Sequence, residues 1–268
     1  MTSRRILIIG YGAIGAEVAT ALHGTDAGAP ALGIMLRPGS ASRGKVPDDI
    51  PIFETIAEVA DFAPDLVVEA AGHLAVQGTV PDLLGQGFTA LVSSIGALHD
   101  AALFARLVSA AETGGARLIL ASGALGALDY VRAGRGAEPT EITYESRKPP
   151  SAWQAELTAL GHDPSRLAAP VVLAEGTARE AAARYPQNLN VAAALALAGP
   201  GMDRVRVAVV CDPDAAGNTH IVTSQGPLGS MRIEIVNTAS PANPKTSMIV
   251  ARSLIAAIDQ YFSPVQML

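Results

Sequence analysis

One hexapeptide constrains the fold more than any other feature of the chain. Gly10-Tyr11-Gly12-Ala13-Ile14-Gly15 follows the apolar run Ile6-Leu7-Ile8-Ile9 and opens a helix-patterned segment, residues 13–22. Between a strand and a helix, each glycine of G-x-G-x-x-G has a physical task. Gly10 makes the tight turn, Gly12 lets backbone approach a pyrophosphate, and Gly15 permits close helix–strand packing. The helix N-terminus adds amide donors and partial positive charge, to which Ala13 and Ile14 contribute. The segment predicts a dinucleotide site at the head of a βαβ series.

The rest of the first third agrees. Residues 4–9, 31–36, 66–69, 89–92 and 117–120 read as short apolar strands. Residues 13–22, 80–84 and 100–113 fall in helical patterns. Strands buried on both faces and alternating with helices imply a parallel, doubly wound α/β sheet. Beyond residue 123 the rhythm changes. Residues 141–146 read as a strand running into Arg147-Lys148-Pro149-Pro150, and residues 188–198 as a helix that Asn188 or Asn190 can cap. Three further strands, 204–211, 219–225 and 230–237, come in close succession, which implies antiparallel pairing. A last helix spans 246–262. The expected organisation is a Rossmann domain over 1–123, an inserted α+β substrate and dimerisation domain over 124–244, and a terminal segment, 245–268, packing back on the first.

Composition excludes several classes. The chain has 268 residues, 49% hydrophobic and 16% charged, with a formal net charge of −6. That balance rules out intrinsic disorder and gives no basic footprint for nucleic acid. The single cysteine, Cys211, excludes a disulfide framework and a multi-cysteine zinc site. No stretch approaches the ~20 apolar residues of a membrane span, so the chain reads as soluble and cytoplasmic.

The second strand ends Leu36-Arg37-Pro38-Gly39-Ser40, with no acid to bind a ribose 2′-hydroxyl. Arg37 with Ser40 suits a 2′-phosphate, and Arg37 stacked on adenine serves NAD equally well. The reading leans to NADP and leaves NAD open. Ala70-Ala71-Gly72-His73 and Ser93-Ser94-Ile95-Gly96-Ala97 follow later strands, at the carboxyl-end crevice where such sheets bind ligands. Among the five histidines, His23, His99 and His162 read as surface groups and His73 lies beside the expected nucleotide path. His220, at the start of a strand after Gly217-Asn218-Thr219, is the candidate for proton transfer, because imidazole titrates near neutrality.

Taken in order, Gly10–Gly15, Ser93–Ala97, Ser122-Gly123-Ala124-Leu125-Gly126-Ala127-Leu128-Asp129, Ser146–Pro150, Pro186-Gln187-Asn188-Leu189-Asn190-Val191-Ala192-Ala193 and Gly217–His220 resemble the L-aspartate dehydrogenase family over essentially the whole chain. The resemblance implies NAD(P)-dependent oxidative deamination of L-aspartate to iminoaspartate. That product hydrolyses to oxaloacetate and ammonia, or feeds pyridine nucleotide biosynthesis. By the same resemblance His220 is the active-site histidine, and Ala124 and Asn190 contact the cofactor. A small residue at Ala124 admits a nicotinamide or simply packs tightly, and Asn190 can pair with a ribose or carboxamide or cap its helix. The dicarboxylate needs cations, for which Arg147 and Lys148 are best placed, unless they form a solvated basic turn. A homodimer is expected. The alternatives are a dihydrodipicolinate-reductase-like oxidoreductase acting on another small acid, and a non-catalytic NAD(P)-sensing protein.

Overall fold

The computed structural model describes residues 4–24, 28–138, 140–186, 188–241 and 243–267. The chain divides into two compact units, Met1–Ala121 with Ala251–Met267, and Ser122–Val250. Among the described residues no helix is long and apolar enough to cross a membrane.

The first unit runs β1 (Arg5–Ile9), α1 (Ala13–Leu22), β2 (Ala31–Met35), β3 (Ile52–Phe53), α2 (Ile56–Phe62), β4 (Leu66–Glu69), α3 (His73–Gly85), β5 (Ala90–Val92), α4 (Ala101–Gly114) and β6 (Leu118–Leu120). Its six strands pair in the order β3-β2-β1-β4-β5-β6, all parallel. The order reverses beside β1, and ligands bind at such a switch point outside the carboxyl ends of the strands. The G-x-G-x-x-G turn lies at the end of β1. Leu66, Val67, Val68 and Glu69 of β4 are all buried, as a strand covered on both faces requires.

The second unit holds α5 (Leu128–Ala133), β7 (Glu141–Lys148), α6 (Gln154–Ala159), β8 (Val171–Thr177), α7 (Ala178–Arg184), α8 (Asn190–Ala198), β9 (Arg206–Cys211), β10 (Asn218–Gly226), β11 (Gly229–Asn237), β12 (Ala239–Ser240) and β13 (Asn243–Ser247). Five of its strands form one mixed sheet, β11-β10-β7-β9-β8. The chain then enters α9 (Ile249–Phe262). This helix returns Ala251, Leu254 and Ile258 to the core of the first unit, where they are buried with Ile6, Ile8, Ile34 and Leu66.

Three expectations need correction. The strands β9 and β10 do not pair with each other, because β7 lies between them, parallel to β9 and antiparallel to β10. The loop between them is long enough to step across one neighbouring strand, a distance of about 10 Å. Residues 246–247 belong to β13, so the last helix starts at Ile249 and not at 246. The cap position of α8 is Leu189, which makes no side-chain capping bond, so neither Asn188 nor Asn190 caps that helix.

Candidate active site

The glycine turn expected to cradle a dinucleotide lies at the end of β1. Gly10 has φ +91°, and a Cβ there would lie 2.7 Å from the Ala71 Cβ. A Cβ on Gly15 would lie 2.3 Å from the Gly10 carbonyl oxygen, so only glycine lets the helix approach the turn this closely. Gly12 differs from both. It stands at the N-cap of α1 without a side-chain cap, no acid occupies the first turn, and a Cβ on it would meet nothing within 4 Å. Gly12 and Ala13 are exposed and Ile14 is half-buried. An open backbone face at an uncapped helix N-terminus fits a pyrophosphate.

At the end of β2, Arg37 is exposed and makes no ion pair among the described residues. The chain turns back directly after it, with Gly39 at φ +72° and the Ser40 amide donating to the Arg37 carbonyl at 3.2 Å. Arg43 is already paired with Glu54. Of the histidines, His23 pairs with Asp49 at 2.8 Å and His99 Nδ1 lies 2.8 Å from the Gly96 carbonyl, while His73 opens α3.

Sequence reading passed over Glu69, the last residue of β4. It is fully buried, and its carboxylate gathers the crevice turns. Oε1 accepts from the amides of Ala71 at 2.8 Å and Gly72 at 2.7 Å and from the Ser94 hydroxyl at 3.0 Å; Oε2 accepts from the Ser94 amide at 2.9 Å. One anion therefore fixes the turns after both β4 and β5. An acid ending an otherwise apolar strand, Leu-Val-Val-Glu, was the available signal, since a buried charge needs such partners.

In the second unit strand alternation sorts the candidates. Along β7, Tyr144, Ser146 and Lys148 are buried on one face, and Glu145 and Arg147 lie on the other. His220 sits opposite Ser146 in the antiparallel register and so joins the Tyr144–Lys148 face. The adjacent residues Arg147 and Lys148 thus point to opposite sides of the sheet. Arg147 donates to Asp212 Oδ2 at 2.7 Å and also pairs with Glu145, so two carboxylates compensate its charge and raise its pKa. Lys148, 3% exposed, donates from Nζ to Asn188 Oδ1 at 2.9 Å, and Nζ lies 5.7 Å from the Trp153 ring centroid.

His220 is 3% exposed. Its Nδ1 lies 2.7 Å from the Tyr144 hydroxyl, and its Nε2 is buried with no hydrogen-bond partner among the described residues. Burial first, and the Lys148 charge second, push the imidazole down to about 4, so it is neutral at neutral pH. Burial raises the Tyr144 phenol, which keeps its proton.

The remaining expected residues have mainly backbone settings. The Ala124 carbonyl accepts from Asn237 Nδ2 at 2.9 Å, just after Gly123 at φ +65°. Asn190 is the first residue of α8 and half-buried. In the segment Pro186–Ala193, Gln187 lies outside the described residues. Gly217 is forced, because a Cβ there would fall 2.4 Å from the Asn237 carbonyl oxygen. Tyr144 and Asn237 were not singled out from sequence, and Asn188 was read only as a possible helix cap. Only the period-2 pattern of residues 141–148 could have put Tyr144 on the Lys148 face.

Comparison with known proteins agrees with both halves. A family described as homoserine dehydrogenase, NAD binding domain, matches residues 10–121, and one described as aspartate dehydrogenase, C-terminal, matches residues 129–261. L-aspartate dehydrogenase 2 of Bordetella pertussis is 46% identical over 261 residues, covering 97% of this chain and 98% of its own. L-aspartate dehydrogenase of Ruegeria pomeroyi is 40% identical over 256 residues, covering 96% and 92%. The crystal structure of aspartate dehydrogenase from Thermotoga maritima shares the fold, with a TM-score of 0.76 over 99% of each chain at 24% identity. With full-length relatives at this identity and a glycine cradle fit for a dinucleotide, the chain belongs to the L-aspartate dehydrogenase family and is an NAD(P)-dependent oxidoreductase of that kind.

Proposed function

We propose that this protein oxidises L-aspartate to iminoaspartate, with His220 as the base that completes the deamination. The observation that carries the reading is the pairing, on one buried sheet face, of a neutral imidazole whose Nε2 is unengaged with the ammonium of Lys148. Lys148 is the cation assigned to a substrate carboxylate. Arg147, on the other face and paired with two carboxylates, is left a structural role.

The cradle Gly10–Gly15 holds the pyrophosphate through the open backbone at Gly12, Ala13 and Ile14. Ala124 and Asn190 are the proposed contacts of the nicotinamide end. The chemistry supplied by the bound nicotinamide is hydride acceptance from the substrate α-carbon. The substrate amine must be neutral for hydride to leave, so the rate rises toward alkaline pH. Water then attacks the iminium carbon, and His220 Nε2 takes its proton. Collapse of that adduct releases ammonia and oxaloacetate, and the sequence is reversible. Iminoaspartate released before hydrolysis feeds pyridine nucleotide biosynthesis.

Arg37 with no acid beside it favours NADP. The sheet face opposite His220 supports a homodimer: a groove of about 420 Å³ there is lined by Glu145, Glu175, Arg206 and Arg232, charges of both signs that suit a self-complementary surface. A lone, buried thiol suits the reducing cytoplasm.

The test is reduced-cofactor formation at mildly alkaline pH with NAD⁺ and NADP⁺ in parallel. Turnover with L-aspartate but not D-aspartate, glutamate or malate supports the assignment. Tight cofactor binding without turnover of any amino acid rejects it in favour of a sensing role.

A further inference from the structure

We propose that Tyr144 is a positioning residue that fixes the tautomer of His220, accepting the Nδ1 proton so that Nε2 is left bare. The inference rests on the reading of His220 as the base. It follows from three observations. Tyr144 and His220 lie diagonally across β7 and β10 on one face, within reach for an aromatic pair. The hydroxyl and Nδ1 are 2.7 Å apart, and the rings stack at 5.9 Å with 21° between planes. Both side chains are buried, so each polar atom must be accounted for.

A neutral imidazole carries one proton, and the hydrogen bond at one nitrogen decides which nitrogen holds it. Two arrangements are open. If the phenol donated to Nδ1, Nε2–H would be a buried donor with no acceptor among the described residues. If Nδ1–H donates to the phenol oxygen, the unengaged atom is the Nε2 lone pair. The phenol O–H is then the donor left without an acceptor, since Ser146 Oγ on the same face makes no hydrogen bond among the described residues. Each arrangement leaves one buried donor unmatched, and only the second presents the lone pair that the proposed base needs.

The consequence is a base–orienter pair in which the orienter is neutral. When Nε2 takes a proton from water, Nδ1–H stays on the Tyr144 oxygen and the phenol keeps its own proton. One O–H bond of water breaks and one N–H bond forms, while the hydroxide oxygen bonds to the iminium carbon and the C=N π pair moves to nitrogen. No proton passes to Tyr144.

The test is ¹⁵N spectroscopy of histidine-labelled protein without ligand at neutral pH, with the His220 signals identified by their loss in His220→Gln. Wild type is expected to show Nε2 as the unprotonated, pyridine-like nitrogen. In Tyr144→Phe, which keeps the ring, the His220 tautomer is expected to change, and kcat to fall at least about ten-fold with KM for aspartate within about two-fold. A wild-type spectrum with Nδ1 unprotonated overturns the inference and leaves the base reading untouched. An unchanged tautomer or an unchanged kcat in Tyr144→Phe overturns it as well. Retained turnover in His220→Ala instead removes the base reading, while the spectrum still decides the pairing.

Discussion

The ammonium of Lys148 is held 2.9 Å from the side-chain oxygen of Asn188, which ties the end of β7 to the segment entering α8. The tether keeps a buried cation on the His220 face and orients it.

Replacing Lys148 with methionine keeps the stem and removes the charge. A hydrogen bond to a charged group contributes about 1.5–3 kcal/mol, which is roughly a 10–160-fold rise in KM for aspartate. Asn188→Ala removes only the tether and is expected to raise KM less. Steady-state kinetics of the two variants check the order, and equal effects would contradict it.

Stability should depend on His220 in a defined pH window. Its pKa falls from 6.5 unfolded to about 4 folded, through burial and Lys148. Between those values the unfolded chain binds a proton that the folded chain does not, so stability declines as pH falls from 6.5 toward 4. Above 6.5 the contribution is constant. Melting curves of wild type and His220→Gln across this range are expected to diverge, with the variant showing the shallower loss on acidification.

Gly12 and Gly15 should respond in opposite ways to an added methyl. At Gly12 φ is −84° and the Cβ position is open, so Gly12→Ala leaves the melting temperature nearly unchanged. It fills the approach to the pyrophosphate and is expected to weaken cofactor binding at least about ten-fold. Gly15→Ala drives a Cβ into the Gly10 carbonyl and is expected to destabilise the fold itself. Calorimetric binding and thermal unfolding separate the two effects.

Glu69→Ala leaves the amides of Ala71, Gly72 and Ser94 without their acceptor, and of these residues only Ser94 is buried. For the one buried group, the Ser94 amide, the loss is about 1–3 kcal/mol. Cofactor affinity is expected to fall with it, because both crevice turns loosen. Denaturant titration and cofactor binding by the same preparation measure the two losses.

How much of this was legible in the sequence depends on the range of the interaction. The bounds of α1 and β4 were read correctly because glycine turns and buried runs are local signals. His220, Lys148 and the glycine turn were nominated by residue type next to a motif. The insertion of β7 between β9 and β10 was not, since strand order is decided by long-range pairing that short connections only suggest. The opposed directions of Arg147 and Lys148 follow from strand alternation, and assigning both to the substrate carboxylates from a position after the strand hid it. The strand–helix pair β8–α7 was missed although Thr177 and Glu180 form a capping box, a spacing the sequence displays. The Glu69 clamp joins residues 25 apart, and only its placement at the end of an apolar strand hinted at it.

The most direct test of the central claim is turnover of L-aspartate by His220→Ala beside wild type, with cofactor affinity measured on the same samples. Loss of at least about a hundred-fold in kcat with unchanged cofactor affinity is the predicted result. Near-normal turnover by the variant would remove His220 from the chemistry and contradict the mechanism.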